Sequence, residues 1–248
     1  MKIRLALAAV AASAALLAGA VGAPAAQAAP STDAVAAKAA LDSIQPQPTD
    51  AADVIDGIAA ANAVLKQLGI TPFTPTIGAC TDFTFPLALG GAVAGPYTPG
   101  IGNLSREFLG KEIDLNAVKR GEVLYGFVPV GVFNDTADKS GMRVAWFNVN
   151  TFKGSLSEPM GGITDVIVNA VKKRAAAVPD PLGLLPTVLN PALDGLRASL
   201  GNILPSNGVR GGLVDTGSGT VLSAIYGTVK KGDATCFFFP SLGIATAK

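Results

Sequence analysis

The sequence predicts a mainly β fold, an antiparallel β-sandwich preceded by a helix and interrupted by a helical insert, with a mixed α+β arrangement as the alternative. Three observations carry that expectation. From Thr76 onward the chain holds about seven runs of β-branched and aromatic residues separated by Gly and Pro turn signals. Helical periodicity is confined to a stretch ending near Gly69 and a second between Glu158 and Asn207. The two cysteines, Cys80 and Cys236, fall in the first long strand and the last.

The chain begins MKIR, and an uncharged apolar run follows from Leu5 to Val21. Gly22 and Pro24 break it, and Ala26-Gln27-Ala28 supplies the small residues that a signal peptidase accommodates. Residues 1–28 are read as an export signal cleaved after Ala28, with a retained membrane anchor as the alternative. The mature chain, Ala29–Lys248, is expected in the secreted or extracytoplasmic envelope fraction without a transmembrane span of its own. It carries 17 basic against 18 acidic residues, a net charge of −1. A nucleic-acid partner is not expected from such a balance. Residues 29–48, Ala-rich and ending Gln-Pro-Gln-Pro, read as a flexible segment, and residues 49–248 as one β-rich domain.

Within that domain, Thr49 or Asp50 caps a helix on which Val54, Ile58, Ala61, Leu65 and Leu68 recur at steps of four and three, and Gly69 ends it. TIGACTDFTFPL reads as a strand. The stretch Phe83 to Ser105 carries no charge, but three prolines and five glycines argue for packed strands and turns rather than a membrane helix. EVLYGFVPVGVF and MRVAWFNVNTF, joined by the polar NDTADKSG, read as an antiparallel hairpin. The insert, about 159–206, is expected to be two helices. Ile163, Val166, Ile167, Ala170 and Val171 line the first; Leu193, Leu196, Leu200 and Ile203 line the second; Pro179, Pro181, Pro186 and Pro191 break the path between them. GVRGGLVDT, GTVLSAIYGTV and ATCFFFPSLGIA complete the strands. A single Trp, Trp146, and the Cys pair give a partial likeness to an immunoglobulin-like sandwich, although Trp146 lies 66 residues after Cys80 and Cys236 is on the last strand.

A disulfide between Cys80 and Cys236 is expected for a chain bound for an oxidising compartment. No Cys-x-x-Cys suggests a redox role. The absence of histidine removes Ser-His-Asp and Cys-His chemistry and the commonest neutral-pH proton carrier. No dinucleotide or phosphate loop is present, and neither a metal nor a cofactor is expected. Asn134, Asp135, Asp138 and Ser140 are oxygen donors without calcium-site spacing and read as a hairpin tip. Lys172-Lys173-Arg174 reads as the cationic last turn of a helix.

Asp215-Thr216-Gly217-Ser218 resembles the aspartic protease signature, preceded by the apolar Leu213-Val214. That chemistry needs two carboxylates about 3 Å apart sharing a proton. No second copy is present, and the same residues are good turn chemistry between strands. Glycosidase chemistry needs only a carboxylate pair, for which Asp82, Glu107, Glu112 and Asp215 are the candidates.

The Ala-rich leader, GEVLYGFVPVGVF, MRVAWFNVNT and the Cys-bearing last strand resemble the exported, alanine-rich proteins of unknown function from actinobacteria with mycolic-acid envelopes. The resemblance implies an envelope or culture-fluid location and brings no catalytic residues. The function expected is therefore non-enzymatic, a binding or structural role in which the Leu-rich insert meets an envelope lipid or a protein partner. The alternative is an aspartic-type hydrolase using Asp215.

Overall fold

The computed structural model describes residue 39 and residues 51–103, 105–108, 111–131, 138–177, 185–204 and 208–248. The export signal, the cleavage point, nearly all of the segment expected to be flexible, and the capping Thr49 and Asp50 lie outside these residues. Helix α1 spans Ala51–Gln67. Its Ala61, Val64 and Leu65, with Leu68 just beyond, are wholly buried, which is the face that the periodicity marked. The Gly69 N–H closes the last turn on Lys66 O at 2.9 Å, and Ile70 reaches back to Leu65 O at 2.8 Å.

Nine strands form one sheet in the order β7-β6-β10-β11-β1-β2-β5-β9-β8, every neighbouring pair antiparallel. One half holds β1 (Thr71–Cys80), β2 (Leu87–Ala94), β5 (Glu122–Val130), β9 (Arg210–Asp215) and the short β8 (Gly161–Gly162). The other holds β6 (Met142–Asn148), β7 (Lys153–Pro159), β10 (Gly219–Lys231) and β11 (Ala234–Ala247). A separate hairpin pairs β3 (Ser105–Phe108) with β4 (Lys111–Asp114). Since β7 and β8 are one run of chain broken only at Met160, the same segment begins as the partner of β6 and ends as the partner of β9. The two halves therefore pack over a shared core as in a sandwich, and the sheet turns back on itself at this corner in the manner of a barrel.

Strand β5 explains the layering, because it is buried on both faces. Val123, Tyr125 and Phe127 point between the halves, where they meet Val144, Trp146, Ile225 and Phe238. Leu124, Val128 and Val130 point the other way, into a second core formed with α1, α2 (Ile163–Ala176) and α3 (Leu185–Ile203). Each fully buried Leu or Phe contributes about 1.5–3 kcal/mol of hydrophobic stabilisation, so a strand with two buried faces belongs at the centre of the molecule. The predicted hairpin between residues 122–133 and 142–152 is corrected on this ground. β5 pairs with β2 and β9, β6 pairs with β10 and β7, and the two lie in different halves.

The insert supplies the two helices expected, and their marked faces are consumed in the helical core. Ile163, Ile167 and Ala170 of α2 and Leu193, Leu196 and Leu200 of α3 are buried there. Helix α3 begins at Leu185 and continues past both Pro186 and Pro191, which the sequence reading placed outside it. Pro186 sits in the first turn, where its missing N–H has no helical partner to lose; Pro179 and Pro181 lie outside the described residues. Among the described residues no helix is long and apolar enough to cross a membrane, and Phe83–Ser105 contains β2 and turns instead.

The core between the halves is closely fitted. A Cβ on Gly243 would fall 1.9 Å from Phe73 Cδ1, so the Phe73 ring lies against bare backbone at that point. Its centroid stands 6.4 Å from that of Tyr125 in an edge-on arrangement. Tyr125 Oη and Ser223 Oγ share a buried hydrogen bond of 2.9 Å. Burial pushes the Tyr125 hydroxyl from 10.0 up to about 12, against the smaller opposing pull of Ser223. Because the folded value is raised, the associated stability is full below the unfolded value and is lost as pH rises toward the folded one. Tyr125→Phe is expected to flatten the alkaline limb of the stability curve between these two values while costing about 1 kcal/mol at neutral pH. Urea melts across the alkaline range read this directly, and an unaltered alkaline limb contradicts it.

Candidate functional site

The Asp-Thr-Gly-Ser segment is the turn from β9 into β10. Thr216 is buried, and both its N–H and its hydroxyl donate to Gly121 O, at 2.9 and 3.1 Å. Gly217 takes a φ of +68°, the left-handed geometry that glycine adopts without a Cβ penalty. Its N–H donates to Asp215 Oδ1 at 3.2 Å, so the exposed aspartate folds onto its own turn. Buried Asn148 on β6 completes the brace. Its Nδ2 donates to the carbonyls of Thr216, Gly217 and Ser218 at 2.9, 3.2 and 3.1 Å, and its Oδ1 accepts the N–H groups of Asn150 and Thr151. Asn148 went unnoticed in the sequence; the signal for it is a polar residue on the inward phase of an otherwise apolar alternation, Met142, Val144, Trp146, Asn148.

The sheet register sets Glu122 opposite Asp215. Glu122 is taken up elsewhere: Arg174 Nη2 lies 2.6 and 2.7 Å from its two carboxylate oxygens, and Lys119 N–H donates to Oε2 at 2.8 Å. That is the geometry of an ion pair tying α2 to β5 rather than of two acids sharing a proton. It also gives one member of the Lys172-Lys173-Arg174 run a structural task in the last turn of α2.

The remaining candidate carboxylates lie on other elements. Asp82, in the turn after β1, accepts the Thr84 hydroxyl at 2.6 Å and the Thr84 N–H at 3.2 Å, with Lys231 Nζ at 3.1 Å. The Thr84 hydroxyl first, and then Lys231, hold its carboxyl down at about 2 from 3.8. Glu107 and Glu112 occupy directly paired positions of the β3–β4 hairpin. Asp138 accepts the Ser140 N–H at 2.9 Å, as a turn residue does; Asn134 and Asp135 lie outside the described residues. Among the described residues no group of three His, Cys, Asp or Glu side chains is placed to hold a metal. Cys80 and Cys236 form the expected disulfide, at directly paired positions of β1 and β11.

A different feature stands out on the surface. Helices cover the outer face of β2 and β5, yet the outer face of β6, β10, β11 and β1 carries large apolar side chains in the open. Phe147, Leu222 and Ile244 are directly paired neighbours across three strands, and all three are exposed. The next row is Ala145, Ala224 and Leu242. Toward the far end, Phe237 lies opposite Ala79, with Phe239 and Ile77 also exposed. Phe152, after β6, is 79% exposed with its ring centroid 6.4 Å from that of Phe147, and Phe83, in the turn after β1, is 85% exposed.

Those two phenylalanines share a further property. Phe83 and Phe152 have φ of +60° and +56°, and among the described residues they are the only non-glycine residues with positive φ. A bulky residue held there costs about 1–3 kcal/mol, so burial in the core is not what either conformation serves. Contiguous apolar surface beyond a few hundred Å² is uncommon on a monomer and marks an interaction site. No protein-family model, curated protein or solved structure matches the chain.

Proposed function

We propose that this chain is a non-enzymatic, extracytoplasmic binding protein that engages an apolar partner, an envelope lipid or an envelope protein, through the bare outer face of β6, β10, β11 and β1. The observation that carries the reading is the directly paired row Phe147, Leu222 and Ile244, left exposed in the middle of a sheet whose other half is roofed by helices. The helical insert was the expected contact surface, but its marked apolar positions are buried in the helical core, and this supports the bare face instead. A disulfide at the β1–β11 pairing supports the extracytoplasmic part of the proposal, since such bonds persist in oxidising compartments.

The experiment is retention on a phenyl-substituted matrix. Phe147→Ser, Leu222→Ser and Ile244→Ser combined are expected to bring elution markedly forward while leaving the thermal midpoint within a few degrees, because all three side chains project outward. Identical elution of the variant and the parent chain removes the face as the contact surface.

A further inference from the structure

The outward positions of the bare half-sheet have a charge pattern as well as an apolar one. On β6 they are Arg143, Ala145 and Phe147, and on β10 they run Thr220, Leu222, Ala224, Tyr226, Thr228, Lys230. On β11 they are Thr235, Phe237 and Phe239, then Leu242, Ile244 and Thr246 beyond a bulge. No acid occurs in this set, and its two charges, Arg143 and Lys230, are both positive and exposed. Tyr226, paired with Arg143, donates its hydroxyl to Leu156 O on β7, which lays its ring across the face. The acids around the face sit in turns: Asp82 is engaged by Lys231, Asp138 is held down first by Ser140 and in smaller part by the charge of Lys230, and Asp233 is in the β10–β11 turn.

A second copy of the chain is a poor occupant, because stacking two such faces brings together strand positions whose only charges are positive, the acids Asp138 and Asp233 lying in the flanking turns. Nor do the described helices offer a spare apolar surface to cover it, since their buried faces belong to the helical core. Apolar and aromatic groups with positive charge beside them are what an anionic lipid surface complements: the side chains enter the acyl boundary and the cations stay among the headgroups. Phe152, its ring centroid 6.4 Å from that of Phe147, continues the face at one end, and Phe83 is exposed in the turn after β1.

From this we infer that the bare half-sheet docks on the surface of an anionic lipid bilayer, lying flat, with Arg143 and Lys230 selecting negatively charged headgroups. The inference rests on the proposed function and narrows its partner class to lipid. Each cation near such a surface is worth about 5-fold in affinity, so Arg143→Gln with Lys230→Gln is expected to weaken binding about 25-fold.

Flotation with vesicles of phosphatidylcholine alone and of two parts phosphatidylcholine to one part phosphatidylglycerol tests it. The mature chain, residues 29–248, is expected to float with the anionic vesicles and not the neutral ones, and to be released by molar salt. The double Gln variant should float far less, and the triple Ser variant not at all, with far-ultraviolet circular dichroism unchanged in both. Absence of flotation with anionic vesicles overturns the inference, as does equal flotation with both kinds. A dimer in sedimentation that the triple Ser variant dissociates overturns it too, in favour of a second copy; the exposed-face reading then survives through its matrix retention. If retention is also insensitive to the Ser substitutions, both fall.

Discussion

Cys80→Ala combined with Cys236→Ala is expected to lower the unfolding free energy by about 2–4 kcal/mol, against roughly 5 from the chain-entropy formula for a loop of this size. The bond joins residues 156 apart in sequence and lies in the core between the halves, with Cys236 wholly buried. Alanine is the replacement of choice because serine would add a buried hydroxyl to an apolar layer. Urea unfolding of the oxidised parent, the reduced parent and the double variant measures the effect; the last two should agree. A loss below about 1 kcal/mol would mean that the β1–β11 pairing is held by its ladder and side chains alone.

Asn148→Ala is expected to cost about 3 kcal/mol, because it strips the partner from three carbonyls and two N–H groups at a site where the asparagine is fully buried. Asp215→Asn, by contrast, keeps an oxygen for the Gly217 N–H on an exposed residue and should stay within about 0.5 kcal/mol. Paired thermal or urea melts give the ranking. The same Asp215→Asn protein, assayed for peptide cleavage in mild acid beside its parent, tests the hydrolase alternative: activity present in the parent and absent in the variant would return Asp215 to a chemical role.

The parts of this structure that were legible in the sequence depend on short-range rules. Leu65 and Leu68 announced α1, Leu193, Leu196 and Leu200 announced the inner face of α3, and Asp215-Thr216-Gly217 announced a turn, because periodicity and turn chemistry act over a few residues. The Cys80–Cys236 bond followed from there being only two cysteines. Partner choice between strands was not legible. Residues 122–133 and 142–152 are adjacent in sequence and look like a hairpin, but β5 has two faces to bury and is drawn between β2 and β9 instead. Strand β7 was missed because Lys-Gly-Ser-Leu-Ser-Glu-Pro lacks an apolar phase, its one large apolar residue, Leu156, being 79% exposed.

The bare face was half legible. In Cys236-Phe237-Phe238-Phe239 the alternation of a strand sends Phe238 inward and leaves Phe237 and Phe239 outside, so three consecutive aromatics had to expose two. What the sequence withheld was that Phe147, Leu222 and Ile244, from three separate strands, come to lie side by side.

The position of β11 bears on how the molecule assembles. It follows every other strand in chain order, yet it sits between β10 and β1 near the middle of the sheet. Until it arrives, the two halves share backbone pairing only at the β7–β8 corner, and the partner of Cys80 has not been delivered. Such high contact order makes folding slow and defers it to a late step. A chain built this way stays unlocked for as long as its closing strand has yet to be laid in.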